Sequence, residues 1–169
     1  MGGFELLAVV VFFLIGYWVV DFLWPKKKAA APVEVRVTRR LDASPERVFD
    51  AWLDSRSAGK WLFATPEGQM VRVEIDPRAG GRFVFVDRRN GEDIEHTGAY
   101  LEIDRPRRLA FIFAVPKFST ESTRVSIDLA PMDSGCELTL VHEGVIPEYA
   151  SRTETGWTAI LDGLAAALG

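Results

Sequence analysis

The chain has 169 residues, 48% of them hydrophobic and 26% charged, which is room for one ordinary domain with one appended segment and excludes a disordered or low-complexity polymer. Its formal net charge of -4 argues against a surface built to neutralise many phosphates, so no nucleic-acid partner is expected. Cys136 is the one cysteine, which leaves no internal disulfide.

From Phe4 to Trp24 the chain is apolar all round, with 14 of its residues Leu, Ile, Val or Phe. At 1.5 Å per residue this stretch is roughly 31 Å long as a helix, the hydrocarbon thickness of a bilayer. Glu5 and Asp21 lie near its ends, where headgroups solvate them. Tyr17, Trp18 and Trp24 gather toward one end as interfacial aromatics do. Residues 1–25 are therefore expected to be a single transmembrane anchor and residues 26–32 a basic, Ala/Pro-rich linker. Lys26, Lys27 and Lys28 are the only cations flanking the span, so the positive-inside tendency puts the following domain in the cytoplasm. A cleaved signal peptide is the competing reading, but it lacks a basic leader, and Pro32 follows the small residues Ala29 to Ala31.

Residues 33–169 form the expected domain. Val33, Val35 and Val37 alternate with Glu34, Arg36 and Thr38 as in a half-buried strand. Ser44, Pro45 and Glu46 then supply a helix cap, a preorganised first turn and a favourable charge, with Val48, Phe49 and Trp52 on one face. A second short helical turn is expected through Ala58 to Phe63. Period-two spacing starts at Gln69, with Val71, Val73 and Ile75 on one face, and continues through Phe83 and Phe85. Asn90-Gly91 marks a type I′ hairpin, because both central residues of that turn need positive φ. A return strand over Ile94 to Ile103 follows, then alternation at Leu109, Phe111 and Phe113, at Val125, Ile127 and Leu129, and at Cys136, Leu138 and Leu140. After Pro147 the spacing becomes helical, and Tyr149, Thr153, Trp157, Ile160, Leu161, Leu164 and Leu168 make one stripe. The elements predict an α+β layer in which a curved antiparallel sheet wraps a long C-terminal helix.

Residues suited to catalysis are few. His96 and His142 are the only imidazoles. Cys136 and His142 share a strand at a separation of roughly 20 Å, too far for a nucleophile and its base. A Cys136–His96 pair across strands is the remaining dyad, against the commoner role of a lone cysteine as a small apolar residue. Glu92, Asp93 and Glu95 beside His96 offer a metal or acid–base cluster, but they read more simply as a solvated hairpin tip. No zinc, calcium or phosphate-loop spacing is present, so neither metal nor cofactor is expected. An apolar cavity under the last helix is expected instead, lined by Trp61, Phe63, Phe83, Phe85, Tyr100, Phe111, Tyr149, Thr153 and Trp157.

Five segments carry a family resemblance: SPERVFDAW at Ser44 to Trp52, AGGRF at Ala79 to Phe83, HTGAYLEIDRPRRL at His96 to Leu109, ELTLVHEG at Glu137 to Gly144, and GWTAILDGL at Gly156 to Leu164. In this order and spacing the domain resembles the START and birch-pollen-allergen-like (SRPBCC) superfamily, and within it the homologues of activators of the heat-shock-protein-90 ATPase. The resemblance implies a helix-grip fold and a range of roles: binding apolar molecules, cyclising polyketides or assisting chaperones. The eukaryotic co-chaperones carry a further N-terminal domain, where this chain has its apolar segment. The leading expectation is a membrane-anchored, non-enzymatic binding protein for an apolar or lipid-like molecule. The alternatives are a partner-binding module, with heat-shock protein 90 or another protein as partner, and a cyclase or hydrolase using His96 and His142.

Overall fold

The first strand, β1 (Val33–Leu41), buries Val35, Val37 and Leu41 and exposes the residues between them. Ser44 then caps helix α1 (Pro45–Leu53), its Oγ accepting from the Arg47 N–H at 3.3 Å, and Val48, Phe49 and Trp52 are buried as the spacing predicts. The next helical turn, α2 (Ser55–Ala58), starts earlier than expected because Asp54 caps it, accepting from Arg56 N at 3.1 Å. Trp61, Leu62 and Phe63 fall in the buried turns after it.

Six strands follow: β2 (Gln69–Ile75), β3 (Arg82–Arg89), β4 (Glu92–Asp104), β5 (Arg108–Ala114), β6 (Thr123–Pro131) and β7 (Cys136–Val145). They form one antiparallel sheet in the order β1-β7-β6-β5-β4-β3-β2. The turn between β3 and β4 has Asn90 at φ 51° and Gly91 at φ 80°, as the Asn-Gly pair requires. One sequence expectation is corrected in β2. A register shift between Met70 and Arg72 turns Val71 out to 39% exposure and brings Met70 against the core with Val73 and Ile75, the displacement a bulge produces.

The chain ends in a 3-10 turn (Pro147–Tyr149) and helix α3 (Ala150–Leu168). Trp157, Leu161, Leu164 and Leu168 are buried in the same core as the alternating strand residues. Trp61 backs onto this helix at Gly163, where a Cβ would lie 3.3 Å from Trp61 Cβ, and Arg39 of β1 pairs with Asp162 of α3 at 2.8 Å. Helix against sheet around one core is the α+β layering expected from the pattern. The structure, a computed structural model, describes residues 30–169; the expected span at residues 4–24 lies outside them. Among the described residues no helix is long and apolar enough to cross a membrane. Residues 31–169 make a compact unit with this core of their own.

Candidate functional site

A cleft of about 470 Å³ opens between the first half of α3 and the sheet, within the range of roughly 300–1,000 Å³ usual for small-molecule sites. One wall is the helix face Tyr149, Arg152, Thr153, Gly156, Trp157 and Ile160, a single stripe at helical spacing. The opposite wall is His96 of β4, Phe113 of β5, His142 of β7, and Val115 and Phe118 in the β5–β6 connection. Phe63 closes the inner end, stacked on His96 at 4.6 Å and on Phe113 at 5.2 Å and meeting Trp157 at an angle at 5.9 Å.

Phe63 holds this place in a backbone conformation that large side chains avoid, φ 60°, which costs on the order of 1–2 kcal/mol. A polar clamp opposes that cost. The Arg89 guanidinium donates to the Phe63 carbonyl at 3.3 Å and to Asp87 Oδ2 at 2.7 Å, and Thr65 Oγ1 donates to the same carboxylate oxygen at 2.7 Å. Asp87 is fully buried, and both of these donors meet its Oδ2.

His142 is held equally tightly. The Trp157 indole N–H, which can only donate, points at His142 Nδ1 at 2.9 Å. The neutral ring therefore carries its proton on Nε2 and donates it to Thr123 Oγ1 at 2.6 Å, and that hydroxyl in turn donates to the Phe113 carbonyl at 3.2 Å. Burial lowers the His142 pKa from 6.5 to about 4. His96 is also lowered to about 4, by burial first and by the Arg89 charge second. Its Nδ1 has no hydrogen-bond partner. The ring lies beside Phe63 and Phe113, which also stack on each other.

Four of the nine residues expected to line a cavity meet here: Phe63, Tyr149, Thr153 and Trp157. Phe83, Phe85, Tyr100 and Phe111 lie deeper, around a void of only about 10 Å³ that Phe63 also touches, too small for more than a single water. Trp61 lies against Trp52 at 4.8 Å. Phe113, Phe118 and Arg152 are cleft residues that the sequence reading did not single out. Phe113 continues the alternation of Phe111, and Arg152 and Gly156 lie on the same helical stripe as Thr153, so those signals were present; Phe118 sits in a connection with no periodicity.

The Cys136–His96 dyad does not form. Cys136 lies on β7 opposite Leu41 and Pro131, three strands from His96, which at about 4.8 Å per strand is roughly 14 Å. Burial and the Glu46 charge also push its thiol up. Nor do the hairpin acids converge: Asp93 pairs with Arg88 at 2.6 Å and Glu92 with Lys117, and no cluster of three metal-ligating side chains exists among the described residues.

A long terminal helix packed on a seven-stranded antiparallel sheet, with a cleft between them, defines a helix-grip protein. Residues 42–169 match the family described as Activator of Hsp90 ATPase homolog 1-like protein, and the chain belongs to that family. A solved structure similar to it is protein CV1439 from Chromobacterium violaceum, 29% identical, with a TM-score of 0.74 over 80% of this chain and 96% of that one. The AHSA1-like protein from Aeromonas hydrophila is 19% identical, with a TM-score of 0.70 over 80% and 91% of the two chains. CalU16 from Micromonospora echinospora is 24% identical, with a TM-score of 0.62 over 84% and 80%. No curated protein matches the sequence.

Proposed function

We propose that the protein is a membrane-tethered, non-enzymatic carrier or sensor of an apolar small molecule, bound in the α3 cleft on the cytoplasmic side. The observation that carries this reading is the cleft itself, with its aromatic walls and few polar groups, the usual make-up of a small-molecule site. Its chemistry suits binding better than turnover: both nitrogens of His142 are engaged, and no carboxylate lines the walls. The apolar residues 4–24 have the length of a bilayer span. A tether of that kind serves a protein that draws its ligand from the membrane.

Native mass spectrometry of residues 31–169 after incubation with a membrane lipid extract tests the binding. A retained apolar molecule, lost in Thr153→Trp, is the expected result; an unchanged apo mass in both proteins sinks the reading. For the tether, the full chain is expected to resist alkaline extraction from membranes and to be digested only by protease added on the cytoplasmic side.

A further inference from the structure

We propose that the cleft selects an amphipathic anion, with the anionic group at Arg152 and the apolar body against Phe63, Phe113 and Trp157; this rests on the binding reading above. Charge is distributed very unevenly around the cleft. Of the residues that line it, Arg152 alone carries a full charge and none is acidic. Both imidazoles in the wall are neutral near pH 7.

Elsewhere on the domain, guanidinium groups are commonly matched: Arg88 meets Asp93, Arg105 meets Asp50 and Arg108 meets Asp128, each within 2.7 Å. Arg152 has no carboxylate within ion-pair distance among the described residues, and Glu148, one turn earlier, does not reach it. It stands in the first turn of a 19-residue helix, the end at which the backbone dipole also favours negative charge.

Deeper in, the wall is aromatic. His96 is 8% exposed, faces the cleft and leaves Nδ1 without a partner. The stacked rings of Phe63, His96 and Phe113 supply a flat apolar surface beside it. An apolar body on these rings leaves its charge at the exposed guanidinium, which binds planar oxyanions through paired hydrogen bonds. A cationic amphiphile meets repulsion at the rim, and a neutral one leaves Arg152 without its counter-charge.

Titration of residues 31–169 with matched amphiphiles, followed by tryptophan fluorescence and by amide NMR shifts at Gly156 and Trp157, tests this. The probes are dodecanoate, dodecyl phosphate, dodecanol and dodecylammonium, each below its aggregation threshold, with pyrenebutanoate and pyrenebutanol as a rigid aromatic pair. At least one acid is expected to bind about fivefold or more tighter than its alcohol, as a partly exposed charge-assisted bond allows. Arg152→Gln should erase that preference, Arg152→Lys should keep part of it, and added salt should shrink it. Dodecanoate against dodecyl phosphate distinguishes a free carboxylic acid from a phospholipid-type head. Equal binding of acid and alcohol, or a preference that survives in Arg152→Gln, overturns the anion selectivity while leaving apolar binding intact. Absence of binding by every probe overturns both.

Discussion

The indole of Trp157 donates to His142, and that one bond determines where the imidazole keeps its proton. With the donor removed in Trp157→Phe, Nδ1 loses its partner, while burial, the cause of the lowered His142 pKa, largely persists. The domain should lose about 1–3 kcal/mol, readable by urea denaturation. His96 makes the opposite case. His96→Phe deletes an unpartnered buried nitrogen while keeping a flat ring on Phe63, so stability at pH 7 should hold or rise.

Acid sensitivity follows from the same two rings. Their unfolded pKa is near 6.5 and their folded pKa about 4, so between those values the unfolded chain holds more protons. Stability is therefore complete above about pH 6.5 and falls as the pH drops toward 4, by up to ~3 kcal/mol per histidine. Melting curves at pH 7.5 and pH 5 check the sign, and His96→Phe should flatten the slope. Little of this could be read from the sequence. Periodicity put Thr153 and Trp157 on one face, but the partnership with His142 depends on how β7 lies under the helix, which no local pattern encodes.

Among the elements, β4 makes the closest approach. A Cβ at Gly98 would sit 1.9 Å from the Ile112 carbonyl oxygen and 2.5 Å from the Phe83 ring, both fixed by strand pairing and core packing. Gly98→Ala is expected to cost about 2 kcal/mol or more, seen as a lower urea midpoint at unchanged slope. The turn after α2 is held instead by charge. Asp87→Ala removes the carboxylate that Arg89 and Thr65 share and should cost about 3 kcal/mol, with faster amide exchange over residues 61–68. The strands and the long helix were legible because alternation and helical spacing report directly on burial. The bulge in β2 and the left-handed Phe63 were not, because each is imposed by partners distant in sequence: β3 for the first and Arg89 for the second.

At the scale of the molecule, the order of hydrophobic periods along the chain was enough to specify a sheet gripping its last helix, and the five quoted segments pointed to the family. The cleft was harder to locate. Alternation shows which face of a strand is buried but not which end of the sheet stays open, so Phe83, Phe85, Tyr100 and Phe111 were grouped with residues that line a real opening. The pairing of β1 with β7 also governs how the protein comes into being. Leu41 of the first strand lies opposite Cys136 of the last, and β1 has no other strand beside it. At about 5–20 residues per second, a ribosome spends roughly 5 to 20 seconds between those two positions. Throughout that interval β1 has no strand to pair with, so the residues it buries in the finished core wait for β7 to emerge.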